Sequence, residues 1–131
     1  MSKKVNKSIS EWKEQLSEES FEVTRNSATE RPFTGKYWDH FDDGVYVCIC
    51  CGETLFKSET KYDAGCGWPS FYEAQNNESI DEHPDYSLSR ERTEIRCSKC
   101  DAHLGHVFDD GPNPTGLRYC VNSAAIDFEK E

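Results

Sequence analysis

Four of the seven cysteines have the spacing of metal ligands. They form two C-x-x-C pairs, Cys48/Cys51 and Cys97/Cys100. Each pair can place two sulfurs on one side of a tight turn, and two such turns make the tetrahedral four-sulfur site that suits Zn²⁺. The 45 residues between Cys51 and Cys97 exceed the roughly 15 to 20 of a compact zinc ribbon. We therefore expect the metal to join strands that are distant in the chain, where a cross-link stabilises most in the loop-entropy model.

Spacing leaves two other uses of these sulfurs open. One pair could be a redox C-x-x-C of the thioredoxin type, although no βαβ pattern surrounds either pair. An iron–sulfur cluster would use the same four ligands. Zinc is the interpretation that the spacing favours. Cys50 lies inside the first pair at an unproductive spacing, so we interpret it as a spare buried thiol.

Cys120 has the setting of a reactive thiol. It lies in the strand-like run Arg118-Tyr119-Cys120-Val121-Asn122, and Arg118 is two residues earlier and so on the same face of a strand. A nearby cation favours the thiolate, which is the nucleophilic form. His103 and His106 would lie close if their strand pairs with this one. Inert packing in the core is the alternative that the sequence leaves open.

Cys66 lies between two glycines and is followed by Trp68-Pro69-Ser70-Phe71. This setting predicts a flexible, accessible loop. A thiol there can attack an oxidised partner and form a disulfide through local movement of the loop. The alternative is a loop cysteine without a role.

The elements that must position these thiols are predominantly β. The capping-box spacing of Ser8 and Glu11 predicts a short helix over 8–17, and a second helix follows Ser17 and ends before Asn26. From Gly44 onward, short β-like runs are separated by turn residues. These runs are 45–48, 54–56, 94–97, 104–108, 117–121 and 124–128.

The pattern predicts a mainly β fold in which antiparallel sheets form a small β-sandwich or barrel-like core with short N-terminal helices, stapled by the four-cysteine zinc site. At 131 residues the chain is expected to be a single domain, 1–131, with a helical N-terminal wrap over 1–31 and a β core over 32–128. Only 35% of the residues are hydrophobic and the mean hydropathy is -0.85, which predicts a modest apolar core.

Charge and composition exclude several functions. A net charge of -10 and a pI near 4.8 argue against binding to nucleic acid or to an anionic membrane surface. We find no apolar run long enough for a membrane span and no secretory signal, which predicts a cytoplasmic protein. In that reducing compartment, cysteines at this density bind metal or carry out catalysis more often than they form structural disulfides.

Seven runs together resemble the peptide methionine-R-sulfoxide reductases, the B-type enzymes. The resemblance extends over roughly residues 10–128 and is most specific around Cys66, His103 and Cys120. The runs are 31–35, 61–63, 65–71, 100–108, 111–112, 114–116 and 118–124.

The resemblance implies a two-cysteine redox cycle. Cys120 would attack the sulfoxide sulfur of an oxidised methionine and be left as a sulfenic acid. Cys66 corresponds to the resolving thiol, which would form a Cys66–Cys120 disulfide that thioredoxin then reduces. Specificity for the R epimer and a structural zinc ion in members with the four cysteines are implied in the same way.

The resemblance also implies supporting residues. His106 and Asn122 are candidate proton donors, with Asp110 and His103 as further candidates. Each has an alternative, because Asp110 and Asn122 can be turn-formers and the histidines can be hydrogen-bonding residues of a strand. Substrate contacts are expected from three more residues: Trp68, Phe71 and Arg118.

Two functions from other classes compete with this interpretation. One is a non-catalytic zinc-ribbon-like module that binds a protein, and the other is a folding or nucleotide-exchange accessory on a similar scaffold. Neither needs Cys66 or Cys120. The reductase interpretation predicts thioredoxin and oxidised proteins or peptides as partners, and a monomer.

Overall fold

The structure is a computed structural model that describes residues 8–26, 28–75, 79–85 and 92–130. Two short helices open the chain, α1 (Ile9–Gln15) and α2 (Glu18–Asn26). The predicted capping box begins α1, because the Ser8 hydroxyl accepts from the Glu11 amide and the Glu11 carboxylate accepts from the Ser8 amide. Helix α2 includes Asn26, so the prediction that it ends before this residue was one residue short. None of the helices in the described residues is long and apolar enough to span a membrane.

The described strands form two antiparallel sheets. A three-stranded sheet has the order β2-β1-β9, and a six-stranded sheet has the order β3-β4-β8-β7-β6-β5, with the strands numbered along the chain. Their bounds are β1 Gly44–Cys48, β2 Thr54–Lys57, β3 Lys61–Tyr62, β4 Ser70–Phe71, β5 Ile80–Asp85, β6 Arg92–Cys97, β7 His103–Phe108, β8 Arg118–Val121 and β9 Ile126–Lys130. This confirms the prediction of a mainly β protein with antiparallel sheets and two short helices.

Three strands have no counterpart among the six predicted runs. β3 and β4 have two residues each, too few for a detectable alternation. β5 has the polar sequence Ile-Asp-Glu-His-Pro-Asp and lies at the edge of the larger sheet, where a proline is tolerated. The predicted run 124–128 begins as a 3-10 turn over Ser123–Ala125 before β9 starts.

The core lies between the two sheets and is closed by the helices. Phe56 of the smaller sheet stacks on Phe71 of the larger one, with ring centroids 4.3 Å apart. Trp12 of α1 and Phe21 of α2 are buried in the same cluster. The core therefore fixes the larger sheet from one side and leaves its other face free for polar side chains.

Candidate active site and candidate metal centre

The side chains of strand β8 alternate between the core face and the opposite face of the larger sheet. Tyr119 and Val121 point into the core and are buried, whereas Arg118 and Cys120 are only half-buried. Side chains two residues apart share a face of a strand. Cys120 is therefore held on the non-core face by a strand whose other face is anchored in the core.

A row of polar residues crosses the larger sheet at Cys120. Ser70 of β4 and His106 of β7 lie opposite Cys120, one on each side, and Glu94 of β6 lies opposite His106. Directly opposed residues have Cβ atoms about 4.5–5.5 Å apart. The predicted condition that the histidine strand pairs with the Cys120 strand is met, and the register brings His106 to the cysteine.

The two lone cysteines meet at this row. Cys66 Sγ lies 3.4 Å from Cys120 Sγ, and the Ser70 hydroxyl lies 3.3 Å from Cys66 Sγ and 3.8 Å from Cys120 Sγ. The loop that carries Cys66 turns through Gly67 at φ 87°. A Cβ on Gly67 would lie 2.8 Å from the Phe33 backbone nitrogen, so the close approach of these segments requires glycine.

Arg118 lies directly on the Cys120 sulfur. Its Nη1 donates to Cys120 Sγ at 2.9 Å, and its Nε and Nη2 donate to the two carboxylate oxygens of Asp110 at 2.8 and 3.2 Å. The hydrogen bond from Arg118 lowers the pKa of Asp110. Asp110 is thus an ionised group that orients Arg118.

The two thiols titrate as a unit. Their mutual hydrogen bond lowers the pKa of Cys66 to about 5, and the same bond together with burial raises the pKa of Cys120. One proton is shared between two sulfurs, so the pair holds one thiolate at neutral pH. The positive charge of Arg118, which contacts Cys120 directly, acts in the opposite direction and offsets part of the rise in the pKa of Cys120.

His106 has a carboxylate partner that the sequence did not indicate. Its Nε2 lies 2.7 Å from Asp85 Oδ2, and the same oxygen accepts from Arg92 Nη2 at 3.1 Å. A carboxylate at one ring nitrogen fixes the orientation of an imidazole. Asp85 and Arg92 belong to β5 and β6, where they are directly paired in the register.

Both the nitrogen and the oxygen of the Asn122 side-chain amide form hydrogen bonds. Nδ2 donates to the Leu104 carbonyl at 3.0 Å, and Oδ1 accepts from the Glu30 amide at 2.9 Å. This network determines which way the amide faces. The Glu30 carbonyl also accepts from the Trp68 indole at 3.1 Å, so one residue of the N-terminal segment positions both Asn122 and Trp68.

These groups surround a cavity of about 450 Å³, here called the Cys120 pocket. It has the size of a small-ligand site. Six of the expected site residues line it: Trp68, His106, Asp110, Arg118, Cys120 and Asn122.

Three expected site residues, Cys66, His103 and Phe71, are not among the described residues that line the Cys120 pocket. His103 is buried with its Nδ1 2.6 Å from Glu94 Oε2, and burial lowers the pKa of its ring. Phe71 is completely buried in the core. It adjoins Ser70, which faces the sulfurs, so the alternation of β4 directs Phe71 to the opposite face.

The four paired cysteines converge at the ends of two strands. Cys48 ends β1 and Cys97 ends β6, and each is followed by the same turn. In each turn the amide four residues after the first cysteine donates to that cysteine's carbonyl, Gly52 to Cys48 at 2.9 Å and Asp101 to Cys97 at 2.8 Å. Gly52 and Asp101 both have left-handed backbones, which Gly and Asp tolerate.

The spacing of the four sulfurs suits a single metal ion. All four sulfurs lie within 4.8 Å of one another, with 3.6 Å between Cys48 and Cys100 and 3.6 Å between Cys51 and Cys97. Zinc–sulfur bonds of about 2.3 Å in a tetrahedron require sulfurs about 3.8 Å apart. The cluster can hold a metal ion, and it joins β1 of one sheet to β6 of the other, as the sequence spacing predicted.

The N-terminal helices support this centre. Arg25 Nη2 donates to the Cys100 carbonyl at 2.9 Å and to Cys100 Sγ at 3.4 Å, and its guanidinium lies 4.4 Å from the Trp12 ring centroid. A cation beside four thiolates offsets their charge. Cys50 is buried nearby but is not one of the four clustered ligands.

In the comparisons with known proteins, nearly the whole chain matches one family. A family model described as the SelR domain matches residues 16–130. Proteins named peptide methionine sulfoxide reductase MsrB are similar to the chain: that of Hahella chejuensis is 64% identical over 125 residues, covering 95% of this chain and 90% of its own. The corresponding protein of Herminiimonas arsenicoxydans is 53% identical over 129 residues, covering 98% and 94%. That of Acinetobacter baylyi is 56% identical over 128 residues, covering 98% and 92%.

Proposed function

The chain belongs to the SelR-domain family of peptide methionine sulfoxide reductases of the MsrB type, and we propose that it reduces the R epimer of methionine sulfoxide in oxidised proteins and peptides through Cys120 and Cys66. The reduction of methionine sulfoxide follows from membership of the family. The observation that supports the cysteine roles is the contact of the two sulfurs at 3.4 Å beside Arg118 and the Cys120 pocket.

The first step is attack of the Cys120 thiolate on the sulfoxide sulfur. A proton is added to the sulfoxide oxygen, methionine is released, and the oxygen remains on Cys120 as a sulfenic acid. Arg118 stabilises the thiolate before attack, since its Nη1 donates to the sulfur. The face of the Trp68 indole suits the substrate methyl group, which carries partial positive charge next to a sulfoxide.

The proton is assigned to His106, which lines the same pocket as Cys120. Asp85 lies at Nε2 and fixes the orientation of the ring. Asn122 has a second amide hydrogen beyond the one that bonds Leu104, and this hydrogen can bond the sulfoxide oxygen. His103 and Glu94 do not contact the substrate in this proposal. They form a buried pair that holds the neighbouring polar residues of the sheet in place.

The second step is condensation of Cys66 with the sulfenic acid, which forms the Cys66–Cys120 disulfide and releases water. Thioredoxin then reduces this disulfide. Zn²⁺ is the metal that we assign to the four paired cysteines, because four thiolates in a tetrahedron are the preferred ligands of a structural zinc ion.

The test of the proposed activity uses N-acetylated methionine sulfoxide, separated into its two epimers. With thioredoxin, its reductase and NADPH, the chain is expected to form methionine from the R epimer and to leave the S epimer unchanged. Chromatography of the products measures both. Turnover of the S epimer would contradict the specificity, and no turnover of either epimer would favour a non-catalytic zinc-binding module.

Replacing Cys66 with serine is expected to separate the two steps. Cys66→Ser should form one equivalent of methionine per chain in a single turnover, because Cys120 and Arg118 remain. It should then stop with thioredoxin as reductant, since no disulfide can form. Rapid-quench product analysis measures the burst. Full thioredoxin-driven turnover by this variant would remove Cys66 from the mechanism.

A further inference from the structure

A buried carboxyl group lies next to the Cys120 pocket without facing it. Glu30 is only 6% exposed and is not among the described residues that line the pocket, although its neighbour Thr29 is. Its Oε1 accepts from the Ala124 amide at 2.9 Å, whereas its Oε2 has no hydrogen-bond partner in the described structure. Burial raises the pKa of Glu30, and the Ala124 hydrogen bond opposes that rise. A buried carboxyl group that is only partly hydrogen-bonded lowers the stability of a fold, which indicates a role other than packing.

The backbone of Glu30 holds two residues of the Cys120 pocket. Its amide donates to Asn122 Oδ1 at 2.9 Å, and its carbonyl accepts from the Trp68 indole at 3.1 Å. Asn122 Nδ2 gives one hydrogen to the Leu104 carbonyl, so the second hydrogen of this amide has a fixed direction. A displacement of the Glu30 backbone would therefore move both the Asn122 amide and the Trp68 ring.

The side chain of Glu30 fixes this backbone in place. The 3-10 turn Ser123–Ala125 follows Asn122 directly, and the Glu30 carboxyl group accepts from the Ala124 amide of that turn. Each of the two segments thus donates a backbone amide to a side chain of the other, across 94 residues of sequence. Such a reciprocal pair sets both the distance and the angle between the segments, as in a helix capping box.

A second contact ties the same segment to the turn independently of Glu30. The Tyr37 amide donates to the Ser123 hydroxyl at 3.1 Å, and the Tyr37 hydroxyl donates to Asp127 Oδ1 at 3.1 Å. Gly35 permits the close approach, because a Cβ placed on it would collide with Glu30 Oε2 and with the Ser123 hydroxyl. Since Tyr37 remains attached, we expect loss of the Glu30 carboxyl group to shift the backbone at residue 30 without unfolding the chain.

We propose that Glu30 is a positioning residue of the reaction, whose carboxyl group holds its own backbone where it orients Asn122 and Trp68 toward the substrate. The inference rests on the proposed function, which assigns Asn122 to the sulfoxide oxygen and Trp68 to the methyl group. Glu30 acts through these two residues and exchanges no proton with the substrate. The property that matters is the length of its side chain, which must reach the Ala124 amide, and not its charge.

Three substitutions separate the reach of this side chain from its charge. Glu30→Gln keeps the length and an oxygen acceptor for the Ala124 amide, Glu30→Asp keeps the charge but is one methylene shorter, and Glu30→Ala has neither. The measurement is single-turnover formation of methionine from the R epimer of N-acetylated methionine sulfoxide, by the reduced full-length chain, over a range of substrate concentrations.

Glu30→Gln is expected to react like the unmodified chain. Glu30→Asp and Glu30→Ala should lower the maximal rate between about tenfold and a hundredfold, the effect of misplacing a group by up to 1 Å, and should raise the half-saturating substrate concentration. Full activity of Glu30→Asp with loss in Glu30→Gln would show that the charge acts, and would overturn the proposal. Unchanged rates in all three variants would overturn it as well. No methionine from the unmodified chain would instead refute the proposed function.

A double-mutant cycle tests the route through Asn122. In an Asn122→Ala background, Glu30→Ala should lose most of its effect on the maximal rate, because the group that it positions is already absent. Tyr37→Phe is the matched control, since it removes a hydrogen bond from the same segment. It should lower the Tm and leave the rate unchanged. Equal losses from Glu30→Ala with and without Asn122, or a loss in Tyr37→Phe as large as in Glu30→Ala, would reduce Glu30 to a structural residue and overturn the proposal.

Discussion

Cys120→Ser should lose all reduction of methionine sulfoxide, by more than about a thousandfold, a loss typical of removing a nucleophile. The serine hydroxyl is not ionised at neutral pH, and Arg118 cannot turn it into a nucleophile comparable with a thiolate. Dithiothreitol does not restore activity, because the missing step precedes disulfide formation. The measurement is single-turnover formation of methionine, with chromatography of the products.

Two further variants make this loss interpretable. Cys50→Ala removes another buried thiol and should retain full turnover, since Cys50 does not line the Cys120 pocket. Cys66→Ser should retain the first turnover. If Cys120→Ser formed methionine faster than the reaction without protein, another residue would have to attack the sulfoxide. The row of residues centred on Cys120 would then not be the catalytic site.

The four clustered cysteines could be predicted from the sequence because their pairing depends on local spacing. Cys48 and Cys51, like Cys97 and Cys100, belong to single turns whose geometry is set by residues next to one another. The longer strands were predictable for the same reason, since alternation is a local signal. The two-residue strands β3 and β4 carry no such signal, although β4 places Ser70 beside both active sulfurs.

The choice between the two histidines shows where local information ends. His103 and His106 are three residues apart in one strand, so regular alternation predicts opposite faces, but a register shift against β6 leaves their ring centroids only 5.8 Å apart. Which of the two faces Cys120 depends on the register of β7 against β8, and that register is fixed by tertiary packing. The hydrogen-bond partners of Asn122 and His106 are distant in the sequence: Glu30 is 92 residues from Asn122, and Asp85 is 21 residues from His106. No spacing in the sequence indicates such contacts.

Loss of the metal centre should have the largest effect on stability. Cys97 is fully buried and holds β6 to the turn after β1, so its sulfur belongs to a link between the two sheets. A structural zinc ion in a small domain contributes folding free energy directly, on the order of 10 kcal/mol in zinc-finger peptides. Because only 35% of the residues are hydrophobic, we expect this chain to depend on that contribution from the proposed zinc ion.

Cys97→Ser is therefore expected to lose its bound zinc and to unfold at a much lower temperature. Even a loss of about 3 kcal/mol would lower the Tm of a chain of this size by roughly 10 °C. Metal analysis and thermal unfolding followed by circular dichroism measure the two effects, and Cys50→Ala, which removes a neighbouring thiol outside the cluster, should keep one zinc ion per chain. A Cys97→Ser protein with an unchanged Tm would mean that packing alone joins the sheets. Loss of zinc from Cys50→Ala would instead mean that five sulfurs, and not four, hold the metal.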